Sequence, residues 1–296
     1  MGPHHPIDEA LLERLPTDES AAGDEAHKPC GAKIKVEQQG AVPELLEALA
    51  RVEERDNRAE TMAPLMTGVG IVALIVAVAM GALFANVPAG IVAAIVGVFG
   101  LIAAWAYRTE DVSDRQLAAI CTVLSTFASE LRPKRPVNLA ADFTGLEKTP
   151  ATKDGARKIY RHDWLRLELP LADGTTARIQ ASSSLKRKSR AKRKYTKHKD
   201  QVSDQLTIQL IPPKGKRLSA EGKTPRPQLD GLTLTRAQVK PRQATFTFRS
   251  RSPLRRVHGR GGWSLMSAGD LIDGHKVVAA VIQSYKATAT AHRGAA

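Results

Sequence analysis

Nine lysines and arginines fall within the fourteen residues 186–199. A block of like charges this dense is typical of a segment that either stays solvated or meets a polyanion. Alternating apolar and polar residues flank it on both sides, which predicts a hairpin with the charges on a long loop or on the extended strand ends. We expect a polyanion-binding surface formed by Lys186, Arg187, Lys188, Arg190, Lys192, Arg193, Lys194, Lys197 and Lys199.

Three classes of partner fit this surface, besides a loop that is only solvated. Near anionic lipid headgroups each basic residue contributes about 1 kcal/mol, so half of the run would hold a domain at a membrane. Nucleic acid phosphates attract it in the same salt-sensitive way, but Tyr195 is the one aromatic residue available for base stacking. Acidic protein segments, including the acidic N-terminal part of this chain, are the third class.

Other residues that could form a metal, phosphate or catalytic site have too few suitable residues near them in the sequence. His27 and Cys30 have the spacing of two metal ligands, but a structural zinc site needs four, so we expect no metal. The glycine-rich stretch 258–263 has no P-loop signature and predicts a flexible connection before the last helix. Paired carboxylates, a nucleophile elbow and a cofactor fingerprint are missing from the sequence. It therefore favours a non-enzymatic protein without a cofactor, although a catalytic triad assembled in space would leave no such pattern.

Residues 61–107 contain no Asp, Glu, Lys or Arg. They are the first of the elements that must position the basic run. A single helix of this length would span about 70 Å, more than twice the hydrocarbon core of a bilayer. Pro88 disfavours a helical conformation at the preceding residue and predicts a break there. The stretch therefore predicts a transmembrane helical hairpin over residues 66–108, with helices at about 67–85 and 88–107.

Charges on either side of this hairpin predict its orientation. Arginines occur on both flanks, and the turn at Asn86 has none. Because basic residues are retained on the cytoplasmic side, we expect a multi-pass protein of the cell (inner or plasma) membrane with both termini in the cytoplasm. The flanking arginines are Arg51, Arg55, Arg58, Arg108 and Arg115.

Small residues recur every four positions along both predicted spans. Such stripes let helix backbones approach closely in lipid. They favour packing of the two helices on each other, and a homo-oligomer through the same faces is the alternative. The stripes consist of Ala73, Ala77, Gly81 and Ala85 in the first helix, and Ala89, Ala93 and Gly97 in the second.

The parts of the chain before and after the uncharged stretch have net charges of opposite sign. Residues 1–60 hold 7 Lys/Arg against 14 Asp/Glu, and residues 108–296 hold 37 against 16, within a net charge of +14. Such asymmetry predicts a polyanion or membrane partner for the basic part. Ser113 and Gln116 also have the spacing of a helix capping box.

Periodicity predicts an α+β membrane protein: a two-helix transmembrane hairpin followed by a basic antiparallel β-rich domain with a C-terminal helix. The Asp173-Gly174 turn between alternating runs is the clearest hairpin signal. The predicted units outside the hairpin are a flexible acidic arm at 1–42, amphipathic helices at 43–60 and 113–132, and the β-rich domain at 136–296 with a closing helix at about 267–287.

These observations predict a membrane-anchored, non-enzymatic interaction protein. It would present its basic domain at the cytoplasmic face and engage anionic lipid headgroups or acidic proteins. A membrane-tethered nucleic-acid-binding protein is the alternative.

Overall fold

The computed structural model describes residues 34–82, 87–108, 112–132, 135–218, 229–259, 262–267 and 269–293. Within them the chain forms four helices and one large antiparallel sheet. The helices are α1 (Val42–Ala82), α2 (Val87–Arg108), α3 (Asp114–Phe127) and α4 (Gly274–Arg293). The strands are β1 (Lys35–Gly40), β2 (Val137–Asp142), β3 (Ala151–Asp154), β4 (Arg157–Pro170), β5 (Thr176–Ala191), β6 (Thr196–Ile211), β7 (Leu232–Lys240), β8 (Gln243–Ser250), β9 (Leu254–Gly259) and β10 (Gly262–Ser267).

The sheet has the strand order β1-β2-β4-β5-β6-β8-β7, with every neighbouring pair antiparallel. Three further strands widen one end of it, because β3 pairs with β4, β9 pairs with β6, and β10 pairs with β9. The Asp173-Gly174 turn joins β4 to β5 as predicted, with Gly174 at a φ of 95°. The predicted antiparallel β-rich domain with a C-terminal helix is confirmed.

Helices cover one face of this sheet. Side chains of a strand alternate between its two faces, so alternate residues of β5 enter the core: Ala177, Ile179 and Ala181 are buried. Helices α3 and α4 and the first turns of α1 complete this core, for example through Leu45 and Ile120. We call the helix-covered face the inner face and the opposite face the outer face.

The helix predicted at 43–60 and the first apolar helix form one continuous helix, α1, of 41 residues. Its first part belongs to the core, and Asp56, although charged, is buried within it. The Asp56 carboxylate accepts a hydrogen bond of 2.6 Å from the backbone N–H of Val112, just before α3. This contact fixes the start of α3 beside the middle of α1.

The second part of α1 and all of α2 are apolar and pack against each other. Both helices are long and apolar enough to cross a membrane, judged by length and composition. Large apolar side chains point outward from the pair; Val78 is 69 % exposed and Phe99 is 68 % exposed. We call residues 61–82 of α1 together with α2 the apolar hairpin.

Glycines let the two helices of the apolar hairpin approach closely. A Cβ atom on Gly97 would lie 3.1 Å from the carbonyl oxygen of Gly70, and one on Gly90 would lie 3.0 Å from that of Ala77. Gly97 and Ala77 belong to the stripes expected from the sequence. Gly70 and Gly90 do not, because a fixed four-residue spacing drifts off the contact face of a helix with 3.6 residues per turn.

Three expectations are wrong near the chain's connections. Part of the arm expected to be flexible is β1, which pairs with β2 along six residues and is tied to it by a 3.0 Å ion pair between Lys35 and Asp142. Residues 1–33 lie outside the described residues. The stretch expected to be a flexible connection is the turn region of a β9–β10 hairpin, in which Gly259 pairs with Gly262. The capping box is not formed, since the Ser113 side chain makes no capping hydrogen bond.

The closing helix also begins later than expected. Residues up to Ser267 belong to β10, and α4 starts at Gly274. Asp273 caps the helix: its Oδ1 accepts a hydrogen bond of 2.8 Å from the backbone N–H of Lys276. The aspartate before Gly274, a preferred capping residue, is the signal that locates this start.

Candidate polyanion-binding site

The basic run lies on the longest hairpin of the sheet. Strands β5 and β6 have 16 residues each, and their pairing continues without a shift from Thr176–Ile211 to Ala191–Thr196. A tight turn closes the hairpin through a 2.8 Å hydrogen bond from Lys192 N–H to the Tyr195 carbonyl. The charges therefore occupy extended strand ends and a short turn, and the alternative of a long loop is wrong. We call residues 186–199 the basic hairpin.

Alternation sorts the nine basic residues into three groups. Arg187 falls on the inner face, in phase with the buried Leu185. The turn contains Lys192, Arg193 and Lys194, all exposed. The outer face carries Lys186, Lys188, Arg190, Lys197 and Lys199.

Arg187 is not available to a polyanion, which corrects its place in the predicted surface. Its guanidinium donates two hydrogen bonds to the Asp200 carboxylate, at 2.8 and 2.7 Å. Two more go to Glu147, at 3.1 and 2.8 Å. The hydrogen bonds to Asp200, and then those to Glu147, hold the pKa of Arg187 above its ordinary value although burial opposes this.

A second arginine completes this inner-face cluster. Arg256 of β9 donates to Glu147 at 2.6 Å and to Asp200 at 3.3 Å. Two carboxylates thus face two guanidinium groups, and the cluster ties β9 and the short helical turn at residues 146–148 to the basic hairpin. Its role is structural: it fixes the backbone from which the outer-face cations project.

His198 also lies on the inner face and adds no charge to the outer one. Burial, and then the nearby Arg187, lower the pKa of its imidazole below the ordinary value. The ring accepts or donates a 2.8 Å hydrogen bond with the Ser189 hydroxyl through Nδ1. The positive charge of this region at neutral pH therefore comes from lysine and arginine.

Neighbouring strands supply two outer-face cations that lie outside the basic run and that the sequence did not indicate. Arg157 of β4 lies opposite Lys188, and Arg255 of β9 lies opposite Gln201. Both are exposed. They lie far from the basic run in sequence, and only the pairing of β4 and β9 with the basic hairpin brings them to it.

The basic hairpin extends past the helix-covered part of the sheet. At one end, the N–H of Ala172 donates to the Glu130 carbonyl at 2.9 Å, beside the end of α3. Further along, Asp204 accepts hydrogen bonds of 2.7 Å from Arg115, at the start of α3, and 2.6 Å from Ser183. Beyond Ser183 the strands continue for about 26 Å at 3.3 Å per residue.

The apolar hairpin leaves the domain at the same end. Helix α1 begins beside β2, near the end of α3, because the strand before it pairs Gly40 with Val137. It then passes the start of α3, where Asp56 binds Val112, and continues to Ala82. The basic hairpin and the apolar hairpin therefore both extend beyond the level of Arg115.

No protein family, curated protein or solved structure matches this chain. Among the described residues no group of three or more His, Cys, Asp or Glu is arranged to hold a metal ion. His27 and Cys30 lie outside those residues.

Proposed function

We propose that this chain is a membrane-anchored, non-enzymatic interaction protein whose basic hairpin engages anionic lipid headgroups. The apolar hairpin would insert into the cell's inner or plasma membrane, with both termini on the cytoplasmic side. The observation that carries the proposal is that both hairpins leave the helix-covered domain at the same end. A lipid surface reached by one is then within reach of the other.

The lengths of the two elements agree with this arrangement. The uncharged part of α1 begins five residues after Asp56, about 8 Å further along the helix. The basic hairpin extends about 26 Å beyond the corresponding level of the sheet. It can therefore reach the headgroup layer even when it is strongly tilted from the direction of α1.

The energies also favour a lipid surface over a soluble polyanion. Each basic residue near an anionic leaflet contributes about 1 kcal/mol, and the turn alone carries Lys192, Arg193 and Lys194. Because the anchor already holds the domain at the membrane, most of the entropic cost of docking has been met. Exposed apolar side chains all around the apolar hairpin, such as Phe99, are typical of a surface that faces lipid.

Hydrogen–deuterium exchange of the full chain in nanodiscs tests the proposal. We expect residues 186–199 to exchange more slowly in discs that contain phosphatidylglycerol than in discs of phosphatidylcholine alone. Replacing Lys192, Arg193 and Lys194 by glutamine should abolish that difference, because it removes the charges that reach the lipid first. Equal exchange of the wild-type chain in both kinds of disc would contradict the proposal.

A matched control uses the hairpin of β7 and β8, with Arg236 and Lys240 in β7 and Arg242 in the turn. The triple variant Arg236→Gln, Lys240→Gln, Arg242→Gln removes the same number of charges at exposed positions elsewhere on the sheet. It should leave the lipid-dependent protection of residues 186–199 unchanged. If a DNA or RNA oligonucleotide protects the basic hairpin in phosphatidylcholine discs and anionic lipid does not, the nucleic-acid alternative replaces this proposal.

A further inference from the structure

A cavity of about 240 Å³ lies on the outer face of the sheet, where residues of β4, the basic hairpin, β9 and β10 line it. Asp200 borders it, but its carboxylate is bonded to Arg187 and Arg256. Five basic side chains that form no ion pair with any described residue also line it: Arg157, Lys186, Lys188, Lys199 and Arg255. The remaining lining residues are Gln201, Arg256, Val257 and Met266, of which Arg256 is paired with Glu147 and Asp200. The cavity is thus strongly positive and open to an anion.

The register of the strands concentrates this charge. Arg157, Lys188 and Lys199 lie opposite one another across β4, β5 and β6. Adjacent strands are about 4.8 Å apart, so three cations stand in a row about 10 Å long. Like charges directly opposite each other destabilise a sheet. A bound anion would relieve this repulsion.

The other end of the same outer face is arranged differently. There Arg166 lies 3.2 Å from Asp163, and Arg178 forms an ion pair with Glu168. Carboxylates therefore neutralise Arg166 and Arg178 at one end, whereas the five cations named above form an ion pair with no carboxylate of the described residues. The nearest position on β3 does carry Asp154, opposite Arg157, but the two form no ion pair.

We propose that this cavity binds a terminal phosphate group, as in a phosphomonoester or a pyrophosphate. The inference rests on the proposed function and names the chemistry of the polyanion that the basic hairpin engages. A terminal phosphate carries more than one negative charge and accepts several charge-assisted hydrogen bonds, which suits clustered lysine and arginine donors. The volume lies below the roughly 300–1,000 Å³ of sites for drug-sized ligands, so it suits a phosphate-bearing headgroup or a small soluble phosphate.

Calorimetric titration of the full chain in phosphatidylcholine nanodiscs with inorganic pyrophosphate tests the site. We expect one pyrophosphate to bind per chain. The double variant Lys188→Gln, Lys199→Gln should weaken binding by about tenfold or more, because it removes two donors from the centre of the row. Both residues are exposed and oppose each other as like charges, so the variant should fold at least as well as the wild type.

The control variant removes two lysines from the turn of the same hairpin, outside the cavity: Lys192→Gln, Lys194→Gln. It should change pyrophosphate affinity by less than about threefold, since only screened long-range attraction is lost. The site is refuted if the wild type binds no pyrophosphate at low salt, or if the two double variants weaken binding equally. Equal weakening would mean a diffuse charge effect and no defined site.

Two kinds of disc separate the possible sources of the phosphate. Phosphatidic acid presents a phosphomonoester and phosphatidylglycerol a phosphodiester. If discs with phosphatidic acid compete with pyrophosphate better than discs with phosphatidylglycerol, the ligand is a lipid headgroup; if neither competes, it is a soluble phosphate compound. If the wild type binds no pyrophosphate but residues 186–199 still exchange more slowly in anionic discs, only the phosphate site is refuted. If the wild type binds pyrophosphate but exchange is equal in both kinds of disc, the proposed lipid docking is refuted and the phosphate site is supported.

Discussion

At the scale of single residues, Asp204 shows how the domain handles charge in its interior. It is fully buried and receives hydrogen bonds from Arg115, from Ser183 and from the backbone N–H of Ile272. This joins β6 to the start of α3 and to the segment before α4. Buried charges are tolerated when they are paired and hydrogen-bonded, which is the case here.

The first prediction concerns that pair. Arg115→Met leaves the Asp204 carboxylate buried without its cation and should lower the free energy of unfolding by about 3–5 kcal/mol. The control is Arg166→Met, which breaks an exposed ion pair to Asp163 and should cost at most about 1 kcal/mol. Urea unfolding of the chain in detergent micelles measures both. Similar losses for the two variants would show that Arg115 does not compensate a buried charge.

The second prediction concerns pH and Asp142. Burial alone would raise the pKa of this carboxyl, but hydrogen bonds from Thr144 and from Lys35 lower it to about 2. A lowered pKa stabilises the fold above the unfolded value of about 4, and this contribution is lost as the pH falls towards the folded value. The stability difference between the wild type and Asp142→Asn should therefore shrink between about pH 4 and pH 2. Unfolding midpoints at several pH values measure it, and a constant difference would contradict the account.

Side chains alternate between the two faces of a strand, so the sequence already contained the information on which face each residue lies. Counting the charges of the basic run did not use that information. Arg187 lies between Lys186 and Lys188 in the same run, yet it points to the opposite face. Its partner Asp200 directly follows the basic run in the sequence, whereas Glu147 and Arg256 come from distant segments. Only the fold brings Glu147 and Arg256 to Arg187, so this cluster could not be predicted from the local sequence pattern.

At the scale of elements, glycines decide how the apolar hairpin packs. A Cβ atom on Gly100 would lie 3.0 Å from the Cα of Gly70 and 3.2 Å from the carbonyl oxygen of Met66, both backbone atoms that cannot rotate away. Gly68 lies in α1, and a Cβ atom added to it would have no other atom within 4 Å. Close approach is therefore needed at Gly100 and not at Gly68.

The third prediction follows from this contrast. Gly100→Val should force α2 away from α1 and cost about 1–3 kcal/mol, the usual range for overpacking. Gly68→Val should leave the packing of the helices intact and serves as the control. SDS titration of the reconstituted chain reports the concentration at which the helices separate. We expect a lower value for Gly100→Val alone, and equal values for both variants would contradict the close contact.

The sequence predicted most elements by type and missed several of their limits. Alternation located β4 and β5 and the turn between them, because a residue pair such as Asp173-Gly174 acts locally. The continuity of α1 was left open by the sequence, because the amphipathic helix at 43–60 could either continue into the first apolar helix or end before it; the structure shows one helix with Pro64 inside it. Strand β1 was missed because its pairing with β2, about a hundred residues later, outweighs its polar composition.

At the scale of the whole molecule, the most basic segment and the most apolar segment lie at the same end of the domain. The basic hairpin and the apolar hairpin extend beyond the same end of the helix-covered domain, and the turn at Ala172 lies at the other end. The sequence predicted both hairpins but not their common direction. That direction depends on contacts such as Asp56 to Val112, which no periodicity encodes.

The central claim is that the tip of the basic hairpin meets the lipid surface into which the apolar hairpin inserts. The most direct measurement uses single fluorophores on the full chain in liposomes that contain brominated phosphatidylglycerol, with Cys30→Ser and Cys121→Ser as background. One label is attached through Tyr195→Cys in the turn of the basic hairpin and the other through Ala172→Cys at the opposite end of the sheet, both exposed positions. We predict that bromine quenches the label at 195 and leaves the label at 172 bright. Quenching at 172 alone, or at neither position, would contradict the account.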